Sequence, residues 1–596
     1  MSQPPARRAS GPTPPLAPQP RIWRPGHAPR PDLHLGRRFA PLLRRWRGRG
    51  ESSRLLLAFG LATLGLLLAA GGAVADVYLH RGIETGAEAP MVAHPTGRGL
   101  ATNVDLTLFA SEQLDGVAAT LQSAGMRFAR QSFAWSEIEP ERGRFVWDRY
   151  DAIVAALNEA GVTPVAVLHR APGWARAEAT RGAADAPPVD LDAYGEFVAQ
   201  VVGHYGNALP FVQLWDGPNR ADRWGGASPD PVAYTALLAR GSNAVRSARL
   251  GTKIVLAEFD PVDDGGGDSP RDLAFLAGVY EAGGGPFFDI VAARLDGGGR
   301  SPYDRWVDAD RRNLSRAILF RELMVDAGDA AKPVWATRYG WRLGDGEGGV
   351  SSEEQAAFVV AGLERARAEW PWMGLLFAWA FAPQDGNGAG LGYALVGDDG
   401  AATPLLDALG AFARDGRAAV APTGHLPVEA PQVDYGGEWA AQHLNDRVYR
   451  TTGQVGARLA VRFAGTGLTV VLRRSPQAGP VDAAVDGSPV DVDLGWFEAT
   501  DVPWVLADGL DDTTHELRLG LTGAGQLTVG GIVVRRDVPG MWPVVLVVGA
   551  GLALVVVSLR RVAYTVAQRS GHLQRRGVDL WPELPQLPDW RPTRRA

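Results

Sequence analysis

Three carboxylates stand at or just after the ends of predicted strands, where side chains could cooperate in acid–base chemistry. They are Asp216, Glu258 and Asp296. Two carboxylates perform such chemistry when their environments separate their pKa values, so that one keeps a proton while the other stays ionised. The alternative for each is an ordinary solvated loop residue, because carboxylates are rarely buried.

Arg338 ends another predicted strand and is a permanent cation. Inside a folded domain it needs a partner, because an unpaired buried charge is costly. Glu258, Asp216 and Asp296 are the candidate partners. One interpretation is an internal ion pair, and the other is a bidentate contact to an anionic ligand such as a carboxylate.

Short apolar runs alternate with helical patterns between residues 100 and 415. This alternation predicts parallel βαβ units. Eight such units fit an α/β (β/α)8 TIM barrel, assigned to residues 95–415, whose functional residues lie at the carboxyl ends of the strands. The predicted strands are 104–109, 126–133, 163–169, 210–216, 253–259, 288–294, 333–340 and 374–381.

The same region resembles a known family of enzymes. The matching stretches are residues 126–175, VQLWDGPN (212–219), KPVWATRYGW (332–341) and GYALVGDDGAATPLLDAL (392–409). They are similar to clan A glycoside hydrolases, above all family 39 and the glycosidases linked to exopolysaccharide production. The resemblance implies a barrel that cleaves O-glycosyl bonds with two carboxylates about 5–5.5 Å apart.

Both catalytic positions of that family are substituted in this chain. The fourth strand of the family ends in W-N-E-P-N, and the acid/base Glu corresponds to Gly217 here. The seventh strand reads T-E-[FY]-G-W, and the nucleophile corresponds to Arg338. The His-Pro-Tyr that often follows strand six is also missing. We therefore expect no ordinary retaining mechanism, unless relocated carboxylates (Asp216, Glu258 and Asp296) replace the pair.

The resemblance also implies a set of sugar-binding residues at the barrel rim. Asp216 takes the position of the family's Asn, which contacts a sugar hydroxyl, and tryptophans at strand ends could stack on sugar rings. Trp215 and Trp379 lie within predicted strands, so we expect them in the core. The predicted binding residues are Arg130, Trp135, His169, Trp174, Asp216, Asn219, Arg338 and Trp341.

Metal and thiol chemistry find no support in the sequence. The chain has no Cys, which excludes disulfides, thiol catalysis and cysteine-ligated zinc. His169 has no second metal-type ligand in register, so we expect a hydrogen-bonded rim histidine. We predict no metal and no cofactor.

Residues 424–536 change character to short strand-like runs separated by Gly/Asp turns. Many short strands without intervening helices predict an antiparallel β-sandwich. It resembles the jelly-roll accessory modules of carbohydrate-active enzymes. The module either spaces the barrel from a membrane or binds sugar through Tyr435, Trp439 or Trp496.

Two uncharged apolar runs predict transmembrane helices at 55–76 and 538–559. More than fifty residues precede the first run, which argues against a cleaved signal peptide. Arg outnumbers acidic residues in both flanks, so we expect both termini in the cytoplasm and the main domains outside. Residues 1–54 and 560–596 then form cytoplasmic tails, and the Pro- and Arg-rich first tail is predicted to be disordered.

The chain as a whole carries a net charge of −6 although both of its flanks are basic. Its central part is therefore strongly acidic. This argues against nucleic acid as a partner. Three functions remain: a membrane-anchored protein that binds or guides a cell-surface polysaccharide or oligosaccharide, an active glycosidase or transglycosidase with relocated carboxylates, and a structural envelope scaffold. Partners would be the lipid bilayer, the saccharide, and envelope or exopolysaccharide-assembly proteins.

Overall fold

The computed structural model describes most of the chain. The described residues are 50–86, 100–261, 271–383, 391–416, 419–444, 447–537 and 542–574. They fall into two compact units, Val74–Pro543 and a smaller unit made of the parts before and after it. The predicted tails lie mostly outside the described residues.

Eight parallel strands form the barrel of the larger unit. They are β1 (Leu100–Asn103), β2 (Met126–Ala134), β3 (Thr163–His169), β4 (Phe211–Leu214), β5 (Lys253–Val255), β6 (Val291–Asp296), β7 (Val334–Gly340) and β10 (Met373–Ala378). They are ordered β5-β4-β3-β2-β1-β10-β7-β6 in the sheet. A parallel bridge from Val255 to Ile290 joins the two edges. The predicted TIM barrel is thereby confirmed.

The predicted first strand, 104–109, is wrong. The strand is Leu100–Asn103, and the predicted segment contains a short 3-10 helix at Leu106–Leu108. Asp105 Oδ1 accepts a hydrogen bond from the Thr107 backbone N–H at 3.1 Å, which favours a turn over an extended chain. Asp105 therefore lies on the rim at the carboxyl end of β1.

Helices follow the strands and cover the barrel. They are Leu114–Ser123, Trp135–Ile138, Asp148–Glu159, Leu191–Tyr205, Pro231–Ser247, Asp272–Glu281, Ala317–Asp326, Ser352–Glu369 and Pro404–Arg414. Local sequence sets several of their starts. Ser351, for example, forms a capping box with Glu354 at the helix that precedes β10. A small parallel pair, β8 (Arg342–Leu343) and β9 (Gly349–Val350), extends the loop after β7.

An apolar plug fills the amino-terminal half of the barrel interior. Its centre is Trp335 on β7, whose ring lies 5.0 Å from Phe211 and 5.7 Å from Phe377, centroid to centroid. Val165 and Val255 are buried in the same cluster. Because this plug closes the floor, only the carboxyl-terminal half of the barrel is left for polar side chains.

Two antiparallel sheets follow the barrel and confirm the predicted β-sandwich. Their strands are β11 (Gly424–Leu426), β12 (Val433–Gly436), β13 (Ala440–Leu444), β14 (Arg447–Thr452), β15 (Arg458–Gly465), β16 (Gly467–Arg474), β17 (Val481–Val485), β18 (Ser488–Val490), β19 (Thr500–Ala507), β20 (Thr513–Leu521) and β21 (Leu527–Arg535). One sheet has the order β13-β14-β21-β16-β19 with β11 beside β21, and the other has the order β12-β15-β20-β17-β18. An apolar core lies between them.

The two ends of the larger unit are tied to each other and to the barrel. The backbone N–H of Arg536, after β21, donates to the carbonyl of Thr85 at 3.0 Å. Glu84 pairs with Arg321 on a barrel helix at 3.2 Å, and Arg81 pairs with Glu322 of the same helix at 2.8 Å. Thr85 and Arg536, near the two ends of this unit, are therefore adjacent.

Two of the described helices, Glu51–His80 and Trp542–Gln574, are long and apolar enough to cross a membrane, over Ser52–His80 and Pro543–Gln568. Within the smaller unit they approach closely at Gly65 and Gly551. A Cβ on either glycine would lie 2.6 Å from the carbonyl oxygen of the other. Small residues allow such close backbone approach between apolar helices.

Trp335 supplies a test of the apolar plug. We expect Trp335→Ala to lower the free energy of unfolding by about 3–5 kcal/mol, because a buried indole leaves a cavity that the barrel cannot close. Trp335 is 1% exposed, whereas the control residue Trp306 is 54% exposed. Denaturant unfolding of both variants should therefore show a large loss for Trp335→Ala only. Equal losses would contradict the assignment.

Candidate functional site

A polar cavity of about 310 Å³ lies at the carboxyl ends of the barrel strands. This is the end at which TIM barrels place their sites. Four of the eight predicted binding residues line it. The lining residues are Asn103, Val104, Asp105, Arg130, Ser132, Val167, His169, Arg170, Asp216, Arg223, Arg294, Asp296, Arg338, Tyr339, Gly340, Trp379 and Tyr393.

Asp216 reaches the cavity because the chain changes direction after β4. Trp215 has a positive φ of 75° and its ring is buried outside the barrel against Tyr194. Asp216 therefore turns inward. Its Oδ1 accepts from Arg130 Nη2 at 2.7 Å, and its Oδ2 accepts from Arg223 Nη1 at 2.9 Å.

These contacts keep Asp216 ionised. Burial alone raises the pKa of its carboxyl, but the guanidinium groups of Arg130, Arg223 and Arg338 outweigh burial and hold that pKa well below the usual range. Arg130 is itself fixed by Asn103 and Gln213 at 3.0 and 2.9 Å. Asp216 is therefore a poor candidate for a proton donor near neutral pH.

Gly217, the residue after Asp216, has no side chain, and the side chain of Arg223 lies in the space beside it. Gly217 has a φ of +60°, a conformation that favours glycine. A Cβ at this position would lie 2.5 Å from Cδ of Arg223. The Arg223 side chain, six residues further along the chain, thus occupies the volume that a longer side chain at 217 would need.

Arg338 enters the barrel at an irregularity of β7. Cα partners shift there from Ala293–Ala336 to Arg294–Arg338, which leaves Thr337 as an extra residue. Such a bulge re-aims the side chains that follow it. Thr337 Oγ1 donates to Glu258 Oε2 at 2.9 Å, so both Thr337 and Arg338 contact the same carboxylate.

Arg338 and Glu258 form the ion pair that the sequence allowed. Nε of Arg338 lies 2.6 Å from Oε1 of Glu258. The N–H of Nε is not directed at the oxygen, so the contact is ionic rather than a directed hydrogen bond. Burial lowers the pKa of Arg338, and Glu258 opposes that shift. Glu258 is buried and does not line the cavity.

Trp379 belongs to the cavity and not to the core, which corrects our expectation. The guanidinium of Arg338 lies 4.0 Å from the centre of its ring. Trp379 directly follows the last residue of β10, so its side chain lies at the open end of the barrel. The contact is a cation–π interaction, which fixes the plane of the guanidinium.

Asp296 and Asp260, near the cavity, are also paired with arginines. Asp296 contacts Arg312 at 2.7 Å. Asp260 contacts Arg294 at 2.7 Å and Arg220 at 3.3 Å. Every relocated carboxylate that the sequence offered therefore has a guanidinium partner.

Ser132 and His169 form a neutral hydrogen-bonded pair on the cavity wall, with Oγ and Nε2 2.7 Å apart. Burial lowers the pKa of His169 to about 4, although Asp216 opposes the shift. His169 is therefore uncharged at neutral pH. Among the described residues, no cluster of three His, Cys, Asp or Glu side chains could hold a metal ion.

Four predicted binding residues lie away from the cavity, and this is a correction. Trp135 and Trp341 are buried, with Nε1 donating to Glu139 Oε2 and to the Arg300 carbonyl respectively. Trp174 packs against Trp135. Asn219 is buried, and its side chain bonds both the N–H and the carbonyl of Asp260. These residues support the rim loops from behind.

The sequence prediction missed several cavity residues. Asn103 and Ser132 lie near the ends of their strands, which is a signal that strand prediction could have used. Arg223 and Tyr393 come from loops. No local pattern places these two side chains in the cavity, because loop direction depends on tertiary contacts.

The sandwich exposes one of its three candidate aromatic residues. Tyr435 and Trp439 are partly buried against the sandwich core. Trp496 is 43% exposed and the neighbouring Phe497 is 78% exposed. Arg474 lies 4.3 Å from the Trp496 ring centre.

No protein-family model and no curated protein matches the chain. Similar solved structures include a family 39 glycoside hydrolase from Bacteroides cellulosilyticus WH2, with 17% identity, a TM-score of 0.43, and 72% of this chain and 82% of that chain covered. Another is a family 30 subfamily 8 xylanase from Clostridium acetobutylicum, with 14% identity, a TM-score of 0.39, and 75% and 98% covered. Strand order and register, rather than these distant likenesses, establish the barrel.

The ion pair between Arg338 and Glu258 can be tested by a double-mutant cycle. We expect Arg338→Met to destabilise the protein by about 3 kcal/mol, because it leaves Glu258 as an uncompensated buried charge. Adding Glu258→Gln should recover part of that loss. Denaturant unfolding of the two single variants and the double variant measures the coupling. Strictly additive losses would contradict the pair.

The environment of His169 predicts a pH dependence of stability. Its pKa in the folded protein is about 4, against an ordinary value of 6.5. Between these values the unfolded chain binds more protons, so stability should fall as the pH falls from 6.5 to 4. His169→Gln should remove up to about 3 kcal/mol of this loss. An NMR titration midpoint near 6.5 for His169 would contradict the prediction.

Proposed function

We propose that this chain is a membrane-anchored, extracytoplasmic glycoside-hydrolase-like protein that binds or guides a cell-surface polysaccharide and lacks ordinary retaining-glycosidase activity. The motif resemblance at residues 126–175, 212–219, 332–341 and 392–409 supports this type. The observation that carries the proposal is that Gly217 and Arg338 stand at the family's two catalytic positions, and that the Arg223 side chain takes the space beside Gly217.

If the motif resemblance holds, the acid/base step and the nucleophilic step of the retaining mechanism each lack their catalytic carboxylate. The acid/base position is Gly217, whose side-chain volume is taken by Arg223. The nucleophile position is Arg338, which pairs with Glu258. Glycoside hydrolysis passes through an oxocarbenium-like, positively charged transition state. Two guanidinium groups at these positions would destabilise that state electrostatically.

Relocated carboxylates are a weaker alternative. An acid/base pair needs one group with a raised pKa and one that stays ionised. The pKa of Asp216 is lowered, and Glu258 and Asp296 are both held by arginines. Each of the three carboxylates is therefore already engaged by a guanidinium group.

The cavity favours a binding protein over a pure scaffold. It combines an indole ring, Trp379, with hydrogen-bonding groups such as Asn103 and Tyr393. Saccharide sites combine an apolar ring face with a few convergent polar groups. A barrel that served only as a spacer would gain stability from apolar packing at the same place.

The two apolar helices and the basic flanks support the anchored arrangement. Both helices are long enough to span a bilayer, and the Arg-rich ends favour the cytoplasmic side. The bond between Arg536 and Thr85 holds the two connecting segments together. Envelope or exopolysaccharide-assembly proteins are the partners that such an arrangement would serve.

The absence of turnover is the first test. The full-length protein in detergent micelles, incubated with aryl glycosides and a panel of polysaccharides, should release no product above the uncatalysed rate. Turnover that Glu258→Gln abolishes would overturn the proposal in favour of relocated carboxylates.

A binding measurement on the same panel separates a binder from a scaffold. Saccharide binding should be lost in Trp379→Ala and kept in the exposed control Trp306→Ala.

A further inference from the structure

We propose that the barrel cavity recognises an acidic saccharide by the carboxylate of a uronic acid ring. This inference rests on the proposed polysaccharide-binding function and specifies its ligand class. It starts from the charges on the cavity wall. Five arginines and three aspartates line the cavity, and His169 on the same wall is neutral at pH 7. The lining is therefore net positive, although the chain as a whole is acidic.

Two ion pairs beside the cavity, Arg294–Asp260 and Arg338–Glu258, both have their guanidinium group on the cavity side. Arg294 and Arg338 are register neighbours on β6 and β7, and both line the cavity. Their carboxylate partners, Asp260 and Glu258, do not line it. Each pair therefore places its guanidinium towards the cavity and its carboxylate behind, so the cavity faces the positive end of both pairs.

These guanidinium groups keep donors for a ligand. In the described part of the chain, Arg338 makes no hydrogen bond through Nη1 or Nη2, since its contacts are Nε with Glu258 and its plane with Trp379. Among the described residues, Arg294 donates through Nη1 alone, towards Asp260. With respect to the same residues, Arg223 donates through Nη1 alone, towards Asp216. Arg130, in contrast, has all three nitrogens occupied.

A carboxylate matches this arrangement better than a hydroxyl does. A guanidinium presents a planar fork of donors that binds two carboxylate oxygens at once, and such charge-assisted bonds are about twice as strong as neutral ones. The stacking of Arg338 on Trp379 holds its fork in place before the ligand arrives. The cavity of about 310 Å³ is at the small end of ligand pockets, which suits one acidic ring of a longer chain.

Calorimetry with matched probes tests the inference. The full-length protein in detergent micelles is titrated with tetrasaccharides of galacturonic, glucuronic and mannuronic acid, with the methyl ester of each, and with neutral galactotetraose and cellotetraose. At least one acid should bind about tenfold or more tightly than its own ester, a ratio that corresponds to about 1.4 kcal/mol. The preference should weaken as salt is raised from 50 to 500 mM, because salt screens the charges.

Arg294→Gln and Arg246→Gln form a matched pair of variants. Asp260 keeps Arg220 as a partner when Arg294 is replaced, so the fold should survive. Arg246 pairs with Asp289 near the start of β6, outside the cavity, and its replacement changes the net charge equally. The preference for acid over ester should fall in Arg294→Gln and persist in Arg246→Gln.

The outcomes separate the two proposals. Equal binding of an acid and its ester, or an equal loss of preference in both variants, overturns the acidic-ligand inference and leaves polysaccharide binding standing. Binding of the neutral tetrasaccharides alone would likewise overturn the acidic-ligand inference and leave polysaccharide binding standing. Failure to bind any probe, acidic or neutral, counts against polysaccharide binding itself, and the inference falls with it.

Discussion

A guanidinium held inside the barrel is the constraint on which the rest of the site depends. The bulge in β7 directs Arg338 inward, and a charge in that position must be balanced close by. Glu258 provides the balance and is thereby committed to the pair. The same requirement repeats at Asp216 and Asp296 on the cavity wall and at Asp260 behind it, since each of them pairs with at least one arginine.

This pattern differs from that of an acid–base site. Catalytic carboxylates work as a pair when their surroundings push one pKa up and leave the other low. Here two guanidinium groups meet at Asp216, and arginines hold the pKa of that carboxyl well below the usual range. The cavity lies at the carboxyl ends of the barrel strands, and its lining carries five arginines against three aspartates.

The apolar plug of the barrel and the sandwich that follows it belong to the same unit as the site. The apolar plug around Trp335 closes the floor of the barrel, so the cavity opens at one end only. The sandwich follows the barrel, and strand β16 runs from one end of the sandwich to the other. Gly467 pairs with Arg535 where the chain leaves the sandwich, and Arg474, at the other end of β16, carries the exposed Trp496. The exposed aromatic pair therefore lies at the end of the sandwich remote from Arg535.

The sequence by itself determined the alternation of strands and helices, the antiparallel module that follows, the two apolar helices, and the identities of residues 217 and 338. These depend on local periodicity and on single positions. Tertiary structure alone decided that Trp379 faces the cavity while Trp135 and Trp341 are buried, and that the first strand ends before residue 104. It also brought Arg223 over Gly217 and Glu258 behind Arg338. Bulges and loop directions result from contacts between residues far apart in the chain, and the pattern along one strand does not contain them.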